Sequence, residues 1–380
     1  MSQASFPMTT ASEPGSPVYF DANPLSDRHL TGIGRYEARL ALAMAAHRPV
    51  RFFKQNELVM PPADLSWSQD QDLGEWARTL MTGERVPFSQ PPQGSIGIWP
   101  LLRPIERTFD REVTILHDLT PLILPQTHKQ ETRSHFQGLC ARAITSSDIA
   151  LAVSHSTASD ASWLAEIDPS RIVVAHSGPS LCVGHHADET PVERKSGIGL
   201  IVSTLEPRKN PQFLFDWFYS SKVLPDDAEL WWVGPDGWLT SKEKLEQYEQ
   251  QPGSDRRVKF LGVVSDSELC QLYRTVEWSI YPSLYEGFGF PVLDSLRHGT
   301  PVLTSYNSSL REFDSKGLYF FDPCDPGSVD DAWRQWQAET PVSIARDRLE
   351  RQYSWDNVAR TILESCADVV AFDQESSVAA

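Results

Sequence analysis

Residues 281–312 read YPSLYEGFGFPVLDSLRHGTPVLTSYNSSLRE, and few structures accommodate such a stretch. It grows out of an apolar, strand-like run at 276–282 and passes through a turn, Glu286-Gly287-Phe288-Gly289-Phe290. A helix is predicted from about Pro291 to His298, since proline suits a first helical position whose N–H would have no partner anyway. Gly299 ends the helix and 300–304 reads as the next strand. Strand, loop, helix and strand in that order make the repeating piece of a parallel α/β sheet.

The loop of this unit is suited to a negatively charged ligand. Gly287 and Gly289 remove side chains, so the backbone N–H groups around Phe288 can approach an anion, and the helix start behind them carries partial positive charge. Glu286 precedes the loop and Asp294 lies one turn into the helix. A carboxylate does not bind phosphate, but it accepts hydrogen bonds from sugar hydroxyls. Anion-binding backbone between two hydroxyl acceptors fits a nucleotide sugar, with the diphosphate in the middle, ribose at one acid and hexose at the other. The same residues also fit a plain structural turn, in which Glu286 caps a helix and the glycines make the bend.

Three further stretches carry polar groups at the ends of apolar strands. After a strand at 18–21, Thr31-Gly32-Ile33-Gly34-Arg35-Tyr36 opens a helix, a second place where backbone could meet an anion or simply turn. Tyr36 packs that helix on the sheet. The strand at 113–116 ends in His117-Asp118, and polar residues there point into the ligand crevice of open α/β sheets. A satisfied core histidine is the alternative, and Asp118 either orients the ring or caps the following turn. The strand at 200–205 ends in Glu206-Pro207-Arg208-Lys209-Asn210, where two adjacent cations would complement a diphosphate or form a solvated basic turn. Residues 55–95, with paired prolines, read as loops around one helix near 74–82. Ser265 and Glu268 have capping-box spacing.

Four motifs in order, T-G-I-G-R-Y, H-D, E-P-R-K-N and E-G-F-G-F-P, resemble those of the retaining GT-B glycosyltransferases of family 4, the glycosyl transferases group 1. Within that family they are most similar to bacterial GDP-mannose-dependent mannosyltransferases. The resemblance spans roughly residues 18–370. It implies an α/β fold of two Rossmann-like domains facing across a cleft. The expected boundaries are a disordered tail over 1–17, an acceptor-side domain over 18–190, a nucleotide-sugar-binding domain over 198–355, and a C-terminal helix over 356–372 crossing back to the first domain. It further implies a catalytic set of Glu286, His117, Arg208 and Lys209. Glu286 and His117 would sit beside the transferred sugar, and Arg208 and Lys209 at the donor phosphates. Gly32, Gly287, Phe288, Gly289 and Asp294 complete the donor site, with Asp294 at the ribose. The chain departs from the pattern at three points. Asp294 stands where the family has Glu, Ser203 where many members have a second Arg, and His176-Ser177-Gly178 where many have Pro-Asn-Gly.

Composition narrows the class. A net charge of −17 and a pI near 5.0 argue against nucleic acid as the main partner, because phosphate backbones attract basic surfaces. Five scattered cysteines without a C-x-x-C indicate reduced thiols, with no disulfide framework or zinc site. No stretch approaches the roughly 20 apolar residues of a membrane span, and the first 17 residues lack a signal-peptide pattern. The expectation is a cytoplasmic hexosyltransferase, peripheral at the inner face of the membrane where its acceptor is lipid-linked. Its donor would be GDP-mannose and its acceptor a saccharide or lipid-linked oligosaccharide, with no metal or cofactor. The alternatives are a sugar-nucleotide epimerase of the same fold and a non-catalytic nucleotide-sugar-binding scaffold.

Overall fold

The apolar runs separated by helices assemble into two separate sheets in the computed structural model. It describes residues 4–5, 16–181 and 193–378, apart from 28, 69–70, 89, 101–102, 104–105, 241–244 and 246–255. The chain divides into two compact units, one of Met1–Leu119, His135–Gly184 and Tyr353–Ala380, the other of Thr120–Ser134 and His185–Gln352.

The first unit contains strands β1 (Ala4–Ser5), β2 (Val18–Asp21), β3 (Val50–Lys54), β4 (Glu57–Met60), β5 (Ser66–Trp67), β6 (Glu84–Pro87), β7 (Ile96–Trp99), β8 (Arg111–Leu116), β9 (Ile149–Ala152) and β10 (Ile172–Val174). Eight of them form one sheet in the order β10-β9-β8-β7-β2-β3-β4-β6. Pairing is parallel from β10 to β3, while β4 and β6 join antiparallel at the edge. The fully buried strands β7 and β9 are unbroken apolar or small runs, and β2 is one up to Asp21 at its end, as a sheet covered on both faces requires. The Gly32–Met44 helix lies against this sheet, with Tyr36, Leu40, Ala41 and Met44 fully buried. Gly97 lies on β7 because a Cβ there would meet the Phe109 ring at 2.2 Å.

The second unit contains β11 (Lys195–Val202), β12 (Glu229–Val233), β13 (Arg257–Gly262), β14 (Val276–Tyr281), β15 (Val302–Ser305) and β16 (Leu318–Phe321). All pairs are parallel and the order is β13-β12-β11-β14-β15-β16. Numbered within the unit this is 3-2-1-4-5-6, the doubly wound dinucleotide-binding order. Its ligand crevice lies where the winding reverses, beyond the carboxyl ends of the first and fourth strands. Here those strands are β11 and β14. A seam of tryptophans holds the sheet to its helices: Trp278 on β14 meets Trp217 edge-on at 6.1 Å and Trp333 at 5.1 Å. Gly199 on β11 admits the Trp278 ring, which a Cβ would strike at 2.4 Å.

Several boundaries differ from the sequence expectation. Residues 120–134 belong to the second unit, not to a first domain running over 18–190, because Trp238 donates to the Thr127 carbonyl (2.8 Å) and its ring lies 6.3 Å from that of His128. Residues 57–60 and 84–87, read as loop, are strands, short and at a sheet edge where alternation is hard to see. Of the tail over 1–17, Ala4–Ser5 pairs antiparallel with Ser66–Trp67; residues 1–3 and 6–15 lie outside the described residues, as does most of the linker expected at 187–197. The last helix, Trp355–Val378, groups with the first unit, where Trp355 donates to the Pro179 carbonyl (2.7 Å) and stacks edge-on to Tyr36.

The first unit holds one costly pair. Glu37, 1% exposed, has no hydrogen-bond partner for either carboxylate oxygen, and Asp21 at the end of β2 repels it. Burial lifts Asp21 to about 6 against the hydrogen bonds from Asn23 and the charge of Lys54, and burial and Asp21 together hold Glu37 well above the usual range. An acid raised in the folded state binds more protons folded than unfolded, so its share of stability declines as pH rises from the unfolded toward the folded pKa. Glu37→Gln should therefore flatten the loss of stability that sets in as pH rises above the ordinary carboxylate range, read as unfolding midpoints across a pH series.

Candidate donor site

The carboxyl ends of β11 and β14 bring together most of the residues singled out from the sequence. Pro207–Lys209 folds as one 3₁₀ turn after β11, and Asn210 takes left-handed φ (57°) before the Pro211–Ser220 helix. That turn presents Arg208 and Lys209 to the loop that follows β14. Arg208 Nη1 donates to Glu286 Oε2 (2.8 Å) and to the Tyr285 carbonyl (2.9 Å), and Lys209 Nζ donates to Glu286 Oε1 (2.5 Å). The second Arg208 nitrogen donates to Glu206 (2.7 Å), which is 2% exposed. The Leu284 N–H donates to the Arg208 carbonyl (2.9 Å), tying the two loops together through the backbone.

The three charged side chains are 14–15% exposed. Burial alone would raise Glu286, but the charges of Lys209 and Arg208, with hydrogen bonds from Lys209 and Ser283, overcome it and hold the carboxyl at about 2. Glu286 is therefore ionised throughout the physiological range. A recess beside it is lined by Ser203, Lys209, Tyr281, Ser283, Glu286 and Gly289 among others. Ser203 Oγ is buried there, and among the described residues it has no hydrogen-bond partner.

Glycine is required at 289. Gly289 has φ 105° and caps the Phe290–Arg297 helix, and a Cβ would meet Leu310 at 2.7 Å. The helix start thus stands beside the recess with Pro291 at its second position, its dipole favouring an anion there. Asp294 does not line the recess. It is 2% exposed, and its charge adds to burial in raising the hydroxyls of Tyr281 and Tyr273.

A set of residues that the motifs did not flag positions this loop. Ser308, itself at φ 42°, accepts the Glu286 N–H (2.9 Å). Ser309 Oγ donates to the carbonyls of Glu286 (2.9 Å) and Phe288 (2.8 Å). Asn307 Nδ2 donates to those of Ser283 and Leu284, both at 3.0 Å. The signal was present in the sequence as Asn307-Ser308-Ser309, short polar residues after a buried strand, but hydroxyls that serve backbone leave no periodicity or charge pattern.

Gly32 and His117 lie in the first unit. Gly32 is the exposed first residue of its helix, where Thr31 accepts from the Gly34 N–H. His117 follows β8 and is wholly buried. Burial pulls it down to about 4, against the charge of Asp118 and a hydrogen bond with the Pro100 carbonyl. Its ring is edge-on to Tyr36 at 4.8 Å, and among the described residues Nε2 has no partner. The ring is therefore neutral at pH 7 and oriented through Pro100 in addition to the Asp118 charge. His176, at the departure from Pro-Asn-Gly, lies edge-on to His155 and Tyr353 in the same unit.

These features define an α/β fold of GT-B type, and comparison with known structures agrees on the fold. Sucrose-phosphate synthase from Thermosynechococcus elongatus superposes with a TM-score of 0.66 at 15% identity, over 94% of this chain and 99% of that one. WaaG, a glycosyltransferase involved in lipopolysaccharide biosynthesis, superposes with a TM-score of 0.55 at 15% identity, covering 91% and 95%. Residues 197–337 match the family described as glycosyl transferases group 1. The O-antigen chain mannosyltransferase B of Escherichia coli is 24% identical over 376 aligned residues, which cover 86% of this chain and 93% of the relative.

Ser309→Ala removes the donor shared by two loop carbonyls and is expected to cost about 1–3 kcal/mol of stability, read by urea unfolding. Ser309→Thr, which keeps the hydroxyl, should retain more of that stability.

Proposed function

We propose that this chain is a retaining mannosyltransferase, moving mannose from GDP-mannose to a saccharide or lipid-linked oligosaccharide during assembly of a surface polysaccharide. The observation that carries the reading is the pairing of Arg208 and Lys209 beside a glycine-capped helix start at the sheet's switch point. Support for mannose comes from the name of the Escherichia coli relative, which matches along most of its length.

In this reading the donor diphosphate lies against Arg208, Lys209 and the backbone of Gly287, Phe288 and Gly289. As the glycosidic bond breaks, negative charge builds on the leaving diphosphate, and these fixed groups stabilise it without having to reorganise. Two side-chain cations and a helix start suffice for that task, so the reaction is proposed to need no metal. Glu286 accepts hydrogen bonds from hydroxyls of the transferred sugar. Asp294 is assigned to the ribose, reached when the donor is seated. His117, neutral and with an open acceptor at Nε2, accepts a hydrogen bond from the sugar, and the backbone at Gly32 meets a donor phosphate. The acceptor hydroxyl attacks from the face the diphosphate leaves, and the departing phosphate takes its proton.

No helix among the described residues is long and apolar enough to cross a membrane. The proposed setting is cytoplasmic, with peripheral contact where the acceptor is held by lipid.

Arg208→Ala and Lys209→Ala should each lower transfer by on the order of 100-fold while leaving the unfolding transition cooperative. The measurement is radiolabelled sugar transfer from GDP-mannose, alongside titration calorimetry with GDP, UDP and ADP. Wild-type turnover in both variants would sink the assignment, and preferential binding of UDP or ADP would replace the donor.

A further inference from the structure

In the free chain the charge meant for a diphosphate is already taken. Each oxygen of Glu286 accepts from one of the two cations, at 2.8 and 2.5 Å, and all three groups are largely out of water. The two duties given to Glu286 and to its partners under the proposed function therefore conflict. While Arg208 and Lys209 hold the carboxylate they are not available to phosphate, and while the carboxylate is held it is a poor acceptor for a sugar hydroxyl.

The surroundings are built so that only one member of this cluster need move. Arg208 keeps a second anchor in buried Glu206, at 2.7 Å, and a third in the Tyr285 carbonyl. The backbone of Glu286 is fixed at both ends of its peptide, by Ser308 on the N–H and Ser309 on the carbonyl. A rotation of the Glu286 side chain can thus release both cations with the loop and the guanidinium staying in place.

We propose that Glu286 is an internal stand-in for the diphosphate and the residue that separates donor from spent product. This role rests on the proposed function. An incoming diphosphate displaces the carboxylate from Arg208 and Lys209. A nucleotide sugar then offers the displaced carboxylate hydroxyl hydrogen bonds in return for the lost ion pairs. A nucleoside diphosphate brings the phosphates but no sugar, so the displaced carboxylate is left uncompensated and returns to the cations, expelling the product. Nothing covalent is involved; the exchange is one of ion pairs and hydrogen bonds.

The test is calorimetry of wild type, Glu286→Gln and Glu286→Ala with GDP and with GDP-mannose, UDP and ADP being carried as controls. Both variants should bind GDP at least about tenfold more tightly than wild type, a change of about 1.4 kcal/mol, with a smaller gain or a loss for GDP-mannose. Inorganic pyrophosphate, which needs neither base nor sugar, should raise the unfolding temperature of the variants more than that of wild type. Variants that bind GDP and pyrophosphate no better than wild type would overturn the stand-in role. That failure is separable from failure of the donor-site reading, which instead shows as undiminished GDP binding in Arg208→Ala and Lys209→Ala.

Discussion

Two cations cannot be placed side by side at a protein's interior edge without an anion between them. Arg208 and Lys209 are neighbours in sequence on one tight turn, and their side chains are mostly removed from water. Left to themselves they would repel, and the turn would open to solvent. Glu286 resolves this by accepting from both, and Glu206 secures the far side of the guanidinium. The strength of the arrangement is visible in the carboxyl itself, which burial would raise but which the cations hold at about 2. Breaking a buried pair by removing one partner is more damaging than the pair is stabilising, since the remaining charge stays desolvated. The loop after β11 and the loop after β14 are therefore mutually dependent.

The parallel sheet makes that dependence possible. In a doubly wound sheet the loops at the carboxyl ends of the first and fourth strands diverge, one turning to each face, and leave a crevice between adjacent strands. β11 and β14 are those neighbours, hydrogen-bonded to each other with Leu200 opposite Ser279. Residues some 80 positions apart are thereby delivered to one place without long side chains having to reach. Buried tryptophans fix the depth of the sheet, and Asn307, Ser308 and Ser309 after β15 fix the loop from the side.

The parts legible in the sequence are those with a local cause. Apolar runs marked most of the parallel strands though not β3, Pro291 and Gly299 marked the two ends of a helix, and Ser265 with Glu268 forms the capping box its spacing suggested. Arg208, Lys209 and Glu286 were legible as candidate site residues because their types and order resemble a known pattern. Their mutual neutralisation was not, since a contact across about 80 residues has no signature in either segment alone. The antiparallel edge of the first sheet was missed for a related reason. β4 and β6 are four-residue strands, partly exposed, and the pairing of β4 with β3 and of β6 with β4 depends on tertiary context more than on intrinsic preference. The burial of Asp294 was equally hidden, because its spacing from Glu286 fixes a helix turn and says nothing of which tyrosines cover it.

The charge balance of the site sharpens the argument about binding. Arg208 and Lys209 contribute two positive charges, Glu206 and Glu286 two negative ones, and Ser203 adds none where similar sequences place an arginine. The cluster is electrically neutral in a chain of net charge −17, so no long-range field draws an anionic donor toward it. Affinity must then arise at short range, after contact, from groups already aimed: the helix start behind Gly289, the backbone of the 286–289 loop, and cations that change partner instead of being desolvated afresh. Because those cations are already out of water in the free state, the penalty for desolvating them has been met during folding, and the ligand contributes only its own. A site so arranged trades attraction at a distance for selectivity at contact.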